Sequence, residues 1–300
     1  MQKLVLGKLV SKKETPQFSI EQLGSGLRFS LQSELDSLEG WSGRMFAGAQ
    51  FKLNWSGKVF CTSCGGPSAK LVNGFCFACL NTVAAADSCV MSPHLCHYLS
   101  GTCRDASWGL AFCYQPHVVY LSYTGEFKVG ITRLSQIPTR WFDQGATWAE
   151  PLALVGSRHQ AGVLEKIIAH DLSERTVWQK MLKSGNERPD ESSVAAWNER
   201  LKALSVGSSL RVARDLLRLR VSSPPRAPWA GSINWIDTPS QFELNYPTER
   251  LATVPKSLRL EQSPQISARI EGIKGQYLIF ADGVFNVRRH EGFEVELLSG

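Results

Sequence analysis

The sequence of 300 residues lacks any apolar run close to the roughly 20 residues that a membrane-spanning helix requires. Its first residues, MQKLVLGKLVSKKETPQ, contain neither a long apolar core nor the small-residue cleavage site of a secretory signal. We therefore expect a soluble, cytoplasmic protein with no membrane partner. The apolar content of 43% is nevertheless sufficient to fill a hydrophobic core.

Cysteine is absent outside residues 61–113, and all eight cysteines of the chain lie within that segment. In a cytoplasmic protein such clustering indicates metal binding rather than a disulfide framework. The segment opens with two C-x-x-C pairs, which are Cys61 with Cys64 and Cys76 with Cys79. Two such pairs supply the four thiolates that a tetrahedral structural zinc ion prefers.

The other four cysteines are more widely spaced and contain no paired motif: Cys89, Cys96, Cys103 and Cys113. Four thiolates still suffice for a second tetrahedral site, and three nearby histidines are alternative ligands: His94, His97 and His117. We expect zinc at both groups, about two ions per chain. An iron–sulfur cluster also accepts four cysteines and stays an alternative for the second group.

The formal net charge of +6 and a pI near 8.9 favour an anionic partner. Residues 211–226, RVARDLLRLRVSSPPR, contain five arginines and one aspartate. Arg211, Arg214 and Arg218 recur at helical spacing, so one face of a helix would present them together. This pattern predicts a surface that contacts phosphates, and a solvated helix face is the alternative.

Changes in composition along the chain predict an α+β fold. Residues 1–60 and residues 233–300 alternate apolar and polar positions between turn signals, as short antiparallel strands do. We expect the two ends to pair into one β-barrel or sandwich. Between them we expect a cysteine-rich zinc-binding insertion at 61–115 and an α/β module with a helical extension at 116–225. The segment SSPPRAPWAGS, residues 222–232, is the predicted linker back to the β part.

The predicted α/β module begins with a β-hairpin. Apolar runs near 117–123 and 126–132 flank a Thr-Gly turn, and a helix is expected around 138–143, with a proline in its first turn. A third apolar run, EPLALVGS, precedes a helix whose apolar positions repeat on one face: Leu164, Ile167, Ile168 and Leu172.

The order of these elements resembles the GIY-YIG endonuclease superfamily over about residues 116–182. The resemblance lies in VVY at the end of one strand, KVG in the next, an arginine about ten residues later, and a glutamate on the helix after the third strand. The segments GTCRDASWG, PHVVYL, KVGITR, PTRWFDQGA and GIKGQYLI also resemble a cysteine-rich prokaryotic family of unknown function assigned to that superfamily.

The resemblance implies four candidate catalytic residues. Tyr120 stands for the first-strand tyrosine, whereas Lys128 stands where the second tyrosine would be. Arg140 matches the helix arginine, and Glu165 matches the glutamate that holds the metal, here Mg²⁺. Arg133 is a candidate contact to nucleic acid. A further polar partner is expected from one of three residues: Thr132, Arg133 or His170.

These residue types suit hydrolysis of a phosphodiester, which needs a base for water, a cation for the developing charge and a metal for the phosphate. The predicted function is therefore metal-assisted cleavage or processing of nucleic acid. Because Lys128 replaces the second tyrosine, an alternative function stays open. In that alternative the protein is a non-catalytic nucleic-acid or protein-binding module, and its zinc is structural. The sequence contains no base-reading code, so both DNA and RNA stay candidate substrates.

Overall fold

The computed structural model describes strand segments between residues 2 and 38, and then residues 45–169, 177–206, 233–236, 241–253 and 256–299. The described residues have a mixed α+β fold with several antiparallel sheets. Some predicted features lie outside the described residues: Arg211, Arg214, Arg218, His170 and the linker at 222–232.

The described residues form twenty strands, which we number in chain order: β1 (Gln2–Val5), β2 (Leu9–Val10), β3 (Phe18–Leu23), β4 (Gly26–Leu31), β5 (Glu34–Leu35), β6 (Ser37–Leu38), β7 (Met45–Phe46), β8 (Gln50–Phe60), β9 (Pro67–Ser68), β10 (His117–Tyr123), β11 (Phe127–Arg133), β12 (Trp148–Val155), β13 (Ile233–Trp235), β14 (Phe242–Asn245), β15 (Ser257–Leu258), β16 (Gln265–Arg269), β17 (Gly272–Lys274), β18 (Tyr277–Phe280), β19 (Gly283–Asn286) and β20 (Phe293–Ser299).

Seven α-helices accompany them in the described part of the chain: α1 (Phe77–Thr82), α2 (Ser88–Met91), α3 (Ala106–Phe112), α4 (Thr139–Asp143), α5 (Arg158–Ile168), α6 (Trp178–Lys183) and α7 (Glu191–Val206). Short 3₁₀ turns connect several of them, among them Pro93–Leu95. Among the helices that the structure describes, none has the length and apolar character needed to cross a bilayer.

Strands from the two ends of the chain share one sheet, in the order β1-β20-β8-β16, with β9 added to β8. All pairs in this sheet are antiparallel. The expected barrel is not formed by the described strands, because β1 and β16 lie at opposite ends of this order and do not pair to close the sheet. The hairpin β3–β4 joins a different sheet, through a parallel pair between β4 and β14.

A four-stranded sheet, β15-β19-β18-β17, packs beside the terminal sheet. The two sheets share one hydrophobic cluster, to which Phe51 and Leu53 of β8 and Leu278 and Phe285 of the small sheet contribute. The ring centroids of Phe51 and Phe280 lie 5.8 Å apart. Burial of these aromatic and aliphatic side chains provides most of the cohesion between the two sheets.

The central sheet carries the candidate functional residues and runs in the order β11-β10-β12-β14-β4-β3, with β13 on β12. Because side chains alternate along a strand, Val119 and Leu121 of β10 lie on one face of the central sheet. Val118 and Tyr120 lie on the opposite face. Helix α5 packs on the Val119 face, and the residues of α4 pack on the Tyr120 face.

The cysteine-rich segment lies against the central module through helix α5. A Cβ built on Gly162 of α5 would lie 2.5 Å from the Pro93 Cβ and 2.7 Å from the His94 nitrogen. Only glycine permits the 3₁₀ turn at Pro93–Leu95 to approach the helix this closely. The main-chain N–H of Arg158, the first residue of α5, also donates to the Cys113 carbonyl at 2.7 Å.

Candidate functional site

The two C-x-x-C pairs form one compact group of thiols. Cys61 and Cys64 bracket a tight turn, in which the Cys61 N–H donates to the Gly66 carbonyl and the Gly65 N–H donates to the Cys61 carbonyl, each at 2.9 Å. Cys76 and Cys79 stand at the start of α1. The two turns are joined by main-chain contact, since the Thr62 N–H donates to the Gly74 carbonyl at 2.9 Å.

The sulfur geometry of this group fits a tetrahedral zinc ion. All four Sγ atoms lie within 4.8 Å of one another. The Sγ atoms of Cys64 and Cys76 are 3.9 Å apart, and two ligands of a tetrahedral ion with Zn–S bonds of about 2.3 Å are separated by about 3.8 Å. The described cysteines are all free thiols, which leaves their sulfurs available to a metal.

The main chain around Cys61 favours its thiolate form. Burial opposes ionisation of this thiol, but main-chain hydrogen bonds from Cys64, Cys76 and Ser63 outweigh burial and lower its pKa to about 6. The Cys76 N–H, for example, donates to the Cys61 Sγ at 3.3 Å. Thiolate is the form that binds a metal. Burial and contacts with the other three cysteines raise the pKa of the Cys79 thiol to about 12, so Cys61 is the member of the group whose surroundings favour the thiolate. The four cysteines therefore provide a candidate metal-binding site, with zinc as the ion that best fits four sulfur ligands.

The second group of cysteines surrounds a cavity of about 10 Å³. The cavity is lined by all four thiols together with Asp87 and His97: Cys89, Cys96, Cys103 and Cys113. Among the described residues of this region, the ligand atoms that lie within 4.8 Å of one another come from Asp87, Cys89 and His97, and the four thiols do not form such a group. Of the three histidines that the sequence offered as alternative ligands, only His97 lines this cavity.

A second candidate site lies at β11, which is the edge strand of the central sheet among the strands that the structure describes, where Tyr120 reaches across from β10. Tyr120 is fully buried, and its hydroxyl donates to the Gln144 Oε1 at 2.9 Å. Burial raises the pKa of this hydroxyl to about 12, with the Glu165 charge adding to the rise and the Arg140 charge opposing it. Tyr120 is therefore a neutral phenol at physiological pH, and both charged residues lie close enough to act on it.

Lys128 occupies the same face of the sheet and is only 6% exposed. Burial and the Arg140 charge lower its pKa to about 8, and the Glu165 carboxylate opposes that change. The structure thus brings together the four candidate catalytic residues from two strands and two helices: Tyr120, Lys128, Arg140 and Glu165. Two cations, a phenol and a carboxylate at one sheet edge can hold an anionic ligand and a cation beside it.

Other residues singled out in the sequence lie elsewhere. Arg133, at the far end of β11, has its Cζ 5.2 Å from the centroid of the Phe112 ring. Thr132 is buried near the same end. Trp141, next to Arg140 in sequence, and Trp148 in β12 are 0% and 4% exposed and belong to the hydrophobic core.

Two residues near the site are missing from the sequence-based prediction. Gln144 accepts a hydrogen bond from the Tyr120 hydroxyl. Because Gln144 follows Arg140 by four residues, helical spacing would have placed Gln144 and Arg140 on the same face. Arg158, at the start of α5, acts electrostatically on Arg140 and Glu165 as well as on Cys113 and Cys89. Nothing in the local sequence distinguishes this arginine from an ordinary residue of the first helical turn.

Comparison with known proteins identifies a family to which this chain is similar, but that family has no described activity. Residues 48–295 match a protein family described as "Protein of unknown function (DUF2797)". No match was found among curated proteins or among solved structures. Because the matched region spans most of the sequence and includes both cysteine groups and the edge of β11, the chain belongs to the DUF2797 family.

Proposed function

We propose that this protein cleaves or processes nucleic acid by metal-assisted phosphodiester hydrolysis, using a GIY-YIG-like site at the edge of β11. The observation that carries the proposal is the convergence of Tyr120, Lys128, Arg140 and Glu165 at that edge. These residues come from two strands and two helices, and the resemblance to the GIY-YIG superfamily implied a common site for them. Arg140 and Glu165 each act electrostatically on both Tyr120 and Lys128, which supports that proposal.

Each side chain has a role that its environment favours. Arg140 contributes a permanent charge to bind phosphoryl oxygens. Tyr120, held neutral by burial and fixed by Gln144, orients the attacking water rather than taking its proton. Lys128, whose pKa is lowered to about 8, is partly neutral near physiological pH and accepts that proton.

Glu165 is the residue that would hold Mg²⁺, because carboxylate oxygens are the ligands this ion prefers. It lies partly exposed on α5, beside the two cations of the site. A bound Mg²⁺ would supply a Lewis acid for the phosphate and its leaving oxygen. The zinc expected at Cys61, Cys64, Cys76 and Cys79 has a structural role, since four protein ligands leave no open position.

A second candidate function is a binding module that does not cleave. The specific observation that favours it is Lys128 itself, which replaces one of the two phenols of the resembling family with a nearly buried cation. A site with Lys128 and Arg140 would hold a phosphate whether or not water is activated. Zinc would then stabilise a nucleic-acid or protein-binding surface without serving any reaction.

The variant Glu165→Gln separates the two functions, because it keeps the size of the side chain but removes the charge that Mg²⁺ needs. Cleavage of a panel of DNA and RNA structures, with Mg²⁺ or Mn²⁺, should fall by at least about a hundredfold, as expected when a metal-dependent step is lost. Binding measured on the same panel should survive, since arginine–phosphate contacts supply most of the affinity. Arg140→Ala should weaken both.

Glu126→Gln is the matched control, because Glu126 is an exposed carboxylate in the β10–β11 turn that pairs with Lys180. It should leave cleavage and binding unchanged. If the parent protein binds the panel in a salt-dependent manner but cleaves none of it, the binding function replaces the nuclease. If it neither binds nor cleaves, both functions are wrong.

A further inference from the structure

We propose that helix α3 and the end of β11 bind single-stranded nucleic acid by stacking on its bases, and that they present this strand to the site at β11. The inference rests on the proposed function and names its substrate class, which is an unpaired segment of DNA or RNA rather than a duplex. Three planar side chains at the surface carry it, and we call them the stacking group: Trp108, Phe112 and Arg133.

The stacking group joins a helix to a strand. Trp108 and Phe112 are four residues apart on α3, so they lie on one face of this helix. Their rings are 13° from parallel, with centroids 4.8 Å apart. The guanidinium of Arg133, the last residue of β11, has its Cζ over the Phe112 ring, 5.2 Å from the centroid. Aromatic rings and guanidinium planes are the groups on which proteins stack unpaired bases.

Helix α3 carries large apolar side chains at the surface. Gly109 is the one buried residue of this helix, and a Cβ built on it would lie 2.8 Å from the Tyr98 ring. That close approach anchors one side of the helix. Its other sides leave Phe112 42% exposed and Leu110 50% exposed. Apolar groups that are clustered and exposed in this way mark an interaction surface.

The charge around the stacking group favours an anionic partner. Residues 106–142 contain three basic residues and a single acidic one, Glu126. Glu126 lies at the other end of the hairpin from Arg133 and pairs there with Lys180. Within the described residues, Arg133 pairs with no carboxylate, so its guanidinium keeps donors for a phosphate. A base on the rings with its phosphate on Arg133 satisfies both the apolar and the charged parts of this surface.

The position of Arg133 on β11 connects the stacking group to the candidate site. Gly130, beside which the Tyr120 hydroxyl passes, precedes Arg133 by three residues on the same strand. That separation is about 10 Å. Neighbouring phosphates of one stacked strand are about 3.4 Å apart along its axis, so the stacked base lies about three nucleotides from a phosphate held beside Tyr120. A duplex keeps its base faces inside its own stack and offers none to the rings.

Fluorescence anisotropy with labelled single strands of about 15 nucleotides, as DNA and as RNA, and with the matching duplexes tests the substrate class on the full chain. The parent should bind one or both kinds of single strand at least about tenfold more tightly than the duplex. Phe112→Leu stays apolar but removes the ring, so its Kd for the single strand should rise about tenfold. Phe112→Tyr keeps the ring and should bind as the parent does. Leu110→Ala, an exposed change on the same helix, is the matched control and should leave the Kd unchanged.

Two further readouts separate stacking from a purely structural role. A fluorescent adenine analogue in the strand loses emission when it stacks on an aromatic ring. This quenching should occur with the parent and with Leu110→Ala, and should be lost with Phe112→Leu. Arg133→Ala should lower the slope of log affinity against log salt concentration by about 0.7, the value for one phosphate of a single strand.

The outcomes distinguish this inference from the proposed cleavage. Equal affinity of the parent for single strands and duplexes, or no quenching with the parent, would overturn the stacking surface even if Phe112→Leu failed to fold. Cleavage that still depends on Glu165 would then leave the proposed function in place. Tight single-strand binding that depends on Phe112, without any cleavage, would remove the nuclease and keep the stacking surface. Binding of an acidic peptide but of no nucleic acid would overturn both.

Discussion

The phenol of Tyr120 occupies the space that a side chain at position 130 would take. Tyr120 and Gly130 face each other in the antiparallel register of β10 and β11. A Cβ built on Gly130 would lie 2.7 Å from the Tyr120 hydroxyl oxygen and 2.8 Å from its Cζ. Gly130 therefore lets the ring cross β11 and reach Gln144 beside this strand.

Gly130→Ala should displace Tyr120 because the backbone of β11 is paired and the buried ring has little room to move. We expect a loss of about 1–3 kcal/mol in the free energy of unfolding, the usual cost of overpacking a core. Any cleavage activity should fall with it. Tyr120→Phe is the matched variant, since it keeps the ring and removes only the bond to Gln144. An unchanged melting temperature for Gly130→Ala would show that the two residues do not pack as described.

Lys128 should give cleavage a characteristic pH dependence. Its pKa is lowered to about 8, so its neutral form increases as the pH rises through that value. If the neutral amine accepts the proton of water, the rate should rise with pH up to about 8 and then level off. Lys128→Arg stays protonated and should be slow at every pH, whereas Lys58→Arg, on an exposed strand residue, should match the parent. A parent rate independent of pH between 6.5 and 9 would assign Lys128 to phosphate binding alone.

Local elements of the central module were predictable because each depends on nearby residues. The hairpin predicted near 117–123 and 126–132 is observed as His117–Tyr123 and Phe127–Arg133. The Thr-Gly turn and two apolar runs suffice to specify it. The compact group of Cys61, Cys64, Cys76 and Cys79 was likewise predictable, because the C-x-x-C pairs fix the ligand turns.

The sequence did not predict which strands pair when they lie far apart in the chain. The two-residue alternation in the first 60 residues is the same for strands that join the terminal sheet and for β3 and β4, which join the central one. The roles of Gln144 and Arg158 depend on contacts across the fold rather than on any spacing. The boundaries drawn at 60, 115 and 225 stay a prediction.

Cys61→Ser should remove about one zinc ion per chain, because three thiolates and a hydroxyl make a much weaker site. Without the ion, residues 61–79 have few apolar contacts to hold them, so proteolysis should cut there first. Phe77→Leu is a suitable control, since Phe77 follows Cys76 directly and is 82% exposed. Metal content by mass spectrometry decides the matter, and a Cys61→Ser protein with the parent's zinc content would contradict the assignment.

His117 should make folding less favourable in acid. Burial lowers its pKa to about 4 from 6.5, with the Arg158 and Arg133 charges adding to the change and the bond from its Nδ1 to the Gln115 carbonyl opposing it. The unfolded chain therefore binds more protons between these values, so stability is full above pH 6.5 and falls as the pH drops toward 4. The loss should be on the order of 3 kcal/mol.

Denaturant unfolding of the parent and of His117→Leu at several pH values isolates this contribution, because release of metal in acid affects both proteins. The difference in unfolding free energy between them should change in favour of the variant as the pH falls. Parallel curves for the two proteins would mean that His117 is not buried in its neutral form.

Lys274 should be one of the most costly residues to replace outside the candidate sites. It lies fully buried in β17, and its Nζ donates to the Met181 carbonyl at 2.7 Å, to the Ser184 Oγ at 3.2 Å and to the Gly185 carbonyl. These acceptors lie at the carboxyl end of α6, where carbonyls have no helical partner and a cation is favoured. Lys274→Met would remove the charged donor from all three acceptors and leave the Met181 carbonyl with only the Ser184 hydroxyl as a side-chain donor, which should lower the unfolding free energy by about 2–4 kcal/mol. Lys183→Met, on an exposed residue of the same helix end, should change it by less than about 0.5 kcal/mol. If the two variants melt at the same temperature, the buried amine does not stabilise the contact between α6 and the carboxyl-terminal sheet.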